Sequence, residues 1–157
     1  MPVQDTGEAR DLIIGVAQAA INTLSPTPKV LYADKSDEVP KDGDTWIRVA
    51  AVHFAGYKAS LGNAQGKSRF RNRGIVRVEV HTPFGDGYTL SDQITTVIKN
   101  AFRKRSSSAD KVSFSNVLST EQPYTSRPES SVVGPEKGDG NWTRVDVTAE
   151  FDYGEIV

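Results

Sequence analysis

Arg69-Phe70-Arg71-Asn72-Arg73-Gly74-Ile75-Val76-Arg77-Val78-Glu79-Val80-His81-Thr82 is the most informative run in this 157-residue chain. Successive side chains of an extended strand point to opposite faces. Val76, Val78 and Val80 therefore share one face, and Arg77, Glu79 and His81 share the other. One apolar and one polar face is the pattern of an antiparallel sheet with a single buried side. The closing run, residues 142–153, repeats it. Val145, Val147, Ala149, Phe151 and Tyr153 point inward; Arg144, Asp146, Thr148, Glu150 and Asp152 point outward. Three weaker strands read from residue type. They are residues 30–33, residues 45–54 (Trp46, Ile47, Val49, Val52, Phe54), and residues 112–119, with Val112, Phe114, Asn116 and Leu118 on one side.

Two segments carry helical spacing instead. Over residues 6–24, Ala9, Leu12, Ile13, Val16, Ala17, Ala20, Ile21 and Leu24 recur at steps of three and four, drawing one apolar stripe. Thr6 is placed as its N-cap, and Pro26 and Pro28 stop it. Thr89-Leu90-Ser91-Asp92 has the form of a capping box and opens a second helix to about Arg105. Leu90, Ile94, Val97, Ile98, Ala101 and Phe102 form its stripe. Between these elements, residues 34–44, 56–68 and 121–140 read as long loops, rich in Gly, Pro and small polar residues. The expected fold is α+β: a two-layer sandwich in a single domain over residues 1–157, with both amphipathic helices on one face of a mostly antiparallel sheet.

Composition narrows the chemistry. There is no Cys, which removes disulfides, thiolate metal sites and cysteine nucleophiles. The two histidines, His53 and His81, fall short of the three protein ligands a zinc site takes. No Gly-x-Ser-x-Gly elbow is present. Residues 62–68, Gly-Asn-Ala-Gln-Gly-Lys-Ser, come close to a phosphate-binding loop, but one residue is missing between the glycines and a strand follows where a helix is required. The expectation is no enzyme, no cofactor and no catalytic or metal site. The most apolar segment, residues 12–21, is too short to span a bilayer.

Charge is distributed more tellingly. Lys58, Lys67, Arg69, Arg71, Arg73 and Arg77 form a basic arm with no acid among them. Residues 136–157 hold Glu136, Asp139, Asp146, Glu150, Asp152 and Glu155 against Lys137 and Arg144. A net charge of −1 built from separated signs suits contact between identical copies better than nucleic-acid binding. The expected interface comprises Arg69, Arg71, Arg73 and Arg77 with Asp146, Glu150 and Asp152. Lys58, Lys67, Arg127 and Lys137 sit in the loops expected to reach other partners. A nucleic-acid module using the basic arm is the alternative from a different class.

Taken in order, the N-terminal helix, Trp46-Ile47-Arg48-Val49, the run from Arg69 into Thr82-Pro83, the second helix, and Trp142-Thr143-Arg144-Val145-Asp146-Val147 with Phe151-Asp152-Tyr153 resemble the tail terminator (tail completion) family of long-tailed bacteriophages. The resemblance covers most of the chain. It implies a small, non-enzymatic α+β protein of the virion, assembled in the host cytoplasm. Such proteins form a hexameric ring at the head-proximal end of the tail tube. The implied partners are further copies of the chain, the tube protein and a head–tail connector, with DNA passing through the bore and no membrane involved. A connector or a tube subunit is the nearest alternative role.

Overall fold

The computed structural model describes residues 5–32, 40, 44–60, 68–83, 88–105, 110–122 and 142–156. In chain order they form helix α1 (Thr6–Ile21), strands β1 (Lys29–Tyr32), β2 (Trp46–Ser60) and β3 (Arg69–Pro83), helix α2 (Thr89–Arg103), and strands β4 (Val112–Gln122) and β5 (Trp142–Ile156). The sheet order is β1-β2-β3-β5-β4. Every pairing is antiparallel except that of β1 with β2. This is the α+β sandwich expected from the alternation.

Both helices lie on one face. Ile13, Ala17 and Ile21 of α1 and Ile94, Ile98 and Phe102 of α2 pack on Ile47, Val49, Val76, Val78, Val80, Val147 and Phe151. The inward residues of β3 and β5 are the ones the alternation selects. Each such side chain, fully removed from water, contributes about 1.5–3 kcal/mol. β3 and β5 pair without interruption from Arg69↔Ile156 to Pro83↔Trp142 and form the spine of the sheet.

Several boundaries differ from the sequence reading. The N-cap of α1 is Asp5, not Thr6: the Asp5 carboxylate accepts from the Glu8 N–H at 2.8 Å. A carboxylate one residue earlier meets the free N–H groups of the first turn and also faces the positive end of the helix dipole. At α2 the capping box does not form. Tyr88 occupies the cap position without a side-chain bond, and the Ser91 hydroxyl donates to the Tyr88 carbonyl. The helices stop at Ile21 and Arg103, short of Leu24 and Arg105.

The segment read as a loop from Gly56 is strand through Ser60, because its backbone pairs with β3 from Tyr57↔Arg71 to Ser60↔Arg69. Likewise β4 runs on through Glu121 to Gln122. Leu118 leaves the side it shares with Phe114 in a regular strand. The pairing slips between Ser115 and Leu118, and Asn116 adopts φ 48° there. One extra residue inverts the facing of everything after it, so Leu118 is 60% exposed while Val112 and Phe114 stay buried. A similar slip between His53 and Ala55 makes Phe54 the extra residue with no cross-strand partner, and it is 61% exposed.

Gly74 sits opposite His53 beside that slip. A Cβ at this position would run into the Val52 carbonyl oxygen and the Phe151 ring. Glycine lets the aromatic ring lie directly on the strand backbone. The near-miss phosphate loop lies outside the described residues apart from Ser68, and so does most of the span read as the long loop 121–140.

Candidate functional site

Among the described residues, the helices cover one face of the sheet and no element covers the other. Alternation assigns to the uncovered face Trp46, Arg48, Ala50 and Val52 of β2, and Arg69, Arg71, Arg73, Ile75, Arg77, Glu79 and His81 of β3. From β5 come Arg144, Asp146, Thr148, Glu150 and Asp152. One end of this face is a packed aromatic and ionic cluster. Trp46 stacks on His81 with ring centroids 3.7 Å apart and planes within 2°. Trp142 meets Trp46 edge-on at 6.0 Å, and its indole N–H donates to the Asp44 carbonyl at 2.9 Å. The Arg48 guanidinium lies 5.4 Å from the Trp46 ring.

Glu79 is the centre of the ionic part. It receives Arg144 at 3.1 Å, lies 3.4 Å from His81 Nε2, and has Arg48 at 3.8 Å. Burial raises its carboxyl pKa. The His81 hydrogen bond and the charges of Arg144, His81 and Arg48 outweigh burial, and the net shift is downward. Arg144 also grips Asp146 in a fork, at 2.7 and 2.9 Å. That fork explains how Asp146 is tolerated at 5% exposure. With the Asp146 hydrogen bond as its chief cause, the Arg144 pKa is raised.

Towards the other end, Arg71 forks onto Asp152 at 2.7 and 2.8 Å, and Arg73 reaches the same carboxylate at 3.5 Å. Arg73 also lies over Tyr57 at 5.9 Å. The basic arm and the acidic strand selected from the sequence thus meet inside one chain, at Asp152. Glu150 accepts from the Asn116 amide at 2.8 Å. Arg69 stands across from Ile156. Arg77 is exposed and makes no ion pair among the described residues. Its cross-strand neighbours are Ala50 and Thr148, and the same face also carries Ile75, 36% exposed, and Val52 and Leu118, each 60% exposed. Lys58 lies on β2 opposite Phe70. Lys67, Arg127 and Lys137 lie outside the described residues.

The cluster of Trp46, His81, Trp142, Arg48 and Glu79 is absent from the sequence-derived site. Each member sits on a readable strand, but their meeting depends on the register Trp46↔His81 and Arg48↔Glu79, which alternation does not specify. The two histidines lie on adjacent strands and on opposite faces. His53 is on the helix side, where the Tyr153 hydroxyl hydrogen-bonds its Nε2 at 2.8 Å and Phe151 packs edge-on at 5.0 Å. Burial first, and Arg10 second, lower the His53 pKa. Among the described residues no three His, Asp or Glu side chains gather as a metal site. No described helix is long and apolar enough to cross a membrane.

Solved structures share this architecture. One aligns with a TM-score of 0.56 at 19% identity, covering 91% of this chain and 94% of the other, which establishes likeness of fold. Among curated proteins no match is found. Residues 13–149 match the family described as phage tail terminator protein, a span that takes in the second half of α1, all of β1 to β4 and α2, and the first half of β5. The chain belongs to the phage tail terminator family, structural proteins of the phage tail.

Proposed function

We propose that this chain assembles into a ring, expected to be hexameric, that caps the head-proximal end of the tail tube. The ring stops tube polymerisation and then presents the surface to which the filled head attaches through a connector. DNA passes through the bore without sequence-specific binding. The observation that carries this reading is the uncovered sheet face. It exposes Val52, Ile75 and Leu118 beside a row of arginines. Apolar groups left in water on a small protein mark a surface made for another protein.

A ring needs a heterologous contact, with a different patch on each side of the joint. In this reading Arg69, Arg77 and Glu150 meet the neighbour directly. Arg71, Arg73 and Asp152 meet it as a pre-assembled ionic unit. Lys58, Lys67, Arg127 and Lys137 reach the tube or the connector. The chain acts as one structural unit and carries out no reaction.

The test is solution mass across concentration, alone and with the tail tube protein, with negative-stain images of the products. Discrete rings, alone or capping tube ends, are expected. Unlimited stacking of the pure protein would make it a tube subunit. A stable monomer with no affinity for tubes would overturn the reading, and strongly salt-dependent binding to bare DNA would then favour the nucleic-acid alternative.

A further inference from the structure

The uncovered face is cationic. Among the described residues it holds Lys29, Arg48, Arg69, Arg71, Arg73, Arg77 and Arg144 against Glu79, Asp146, Glu150 and Asp152, a net charge of +3. Two copies packed face to face would set like charges against each other, with Arg77 unpaired on both sides. The opposite layer of the sandwich offers a better match. The first turns of α1 carry Glu8 and Asp11, with Asp5 as cap and Arg10 as the helix's one cation. Asp5 and Asp11 are exposed. Glu8 is engaged by Lys111 of the same chain, whereas Asp11 makes no ion pair among the described residues. The other helix does not compete: α2 has Asp92 against Lys99 and Arg103, and Lys104 and Arg105 follow.

We infer that the uncovered sheet face of one copy docks on the acidic N-terminal half of α1 in the next copy, and that Arg77 pairs there with Asp11 of that neighbour. The inference rests on the ring reading above and specifies its joint. Sheet and helix are opposite layers of one molecule, so this contact is head-to-tail and leaves one free surface of each kind until the ring closes. Val52, Ile75 and Leu118 lie on the same face, so the docking that covers them also removes water from the pair, which strengthens it relative to an exposed one.

The test is a charge swap read by the concentration dependence of solution mass. Arg77→Glu alone and Asp11→Arg alone are each expected to weaken self-association by about tenfold or more. The double variant Arg77→Glu/Asp11→Arg is expected to restore it, and restoration shows that both substitutions are compatible with the fold. Thermal melts of each variant provide a second check on folding. Wild-type rings with single variants that associate normally would overturn the joint and leave the ring reading standing. So would a double variant that associates no better than the singles. A wild-type protein that stays monomeric, alone and with tubes, would overturn both.

Discussion

Glu79 shows how a charge is held on a face that is only half in water. Because its folded pKa is depressed, the stability it contributes is complete above its ordinary value of 4.5 and is lost as pH falls through the lower folded value. His53 contributes in the same sense at a higher pH. Its folded pKa lies below 6.5, so the unfolded chain takes up the proton first and stability declines as pH drops below 6.5. Acid titration of the melting temperature should therefore fall in two stages. His53→Gln should remove the upper stage and Glu79→Gln the lower; a profile unchanged by either substitution would contradict these assignments. Arg71→Ala should matter little, within about 1 kcal/mol, because its pair with Asp152 is half in solvent. Gly74→Val should cost about 3 kcal/mol in denaturant unfolding, since backbone and the Phe151 ring must both yield. The arginines of the basic arm were legible as charges. Their partner was not, because Asp152 is 81 positions from Arg71 in sequence and adjacent only through the β3–β5 register.

Among the elements, those with a strong period are legible in the sequence and those with a break are not. β3 and the inward side of β5 follow strict alternation, and the structure buries the residues that alternation selects. β4 carries its slip at Asn116, a residue type that tolerates positive φ, yet nothing in the apolar pattern announces an extra residue. The cap of α1 illustrates a smaller ambiguity. Asp5 and Thr6 are both good caps, and only the helix start separates them. Asp5→Ala should lower stability by about 1 kcal/mol in chemical denaturation. Thr6→Ala should leave it nearly unchanged, and the reverse ranking would restore the threonine cap.

For the whole molecule, the family match and the uncovered sheet face bear on assembly together. If the face closes against a neighbour, apparent stability must rise with protein concentration, by mass action. Thermal melts over a hundredfold range of concentration should show the midpoint climbing, and added salt should reduce the climb by screening the charges that face the neighbour. A midpoint independent of both would argue for a self-sufficient monomer. The layered architecture and the two-faced sheet could be read from periodicity alone. The location of the aromatic and ionic cluster could not, since it is a property of strands aligned side by side.

The unbroken ladder between β3 and β5 also has a mechanical meaning. Its hydrogen bonds lie across the strand direction. Tension applied along the strands loads the ladder from Arg69↔Ile156 to Pro83↔Trp142 in shear, and its rungs must give way together. Tension applied at right angles would peel it open rung by rung. A joint anchored through the strand ends is stiff against pulling along the strands and compliant to prying from the side.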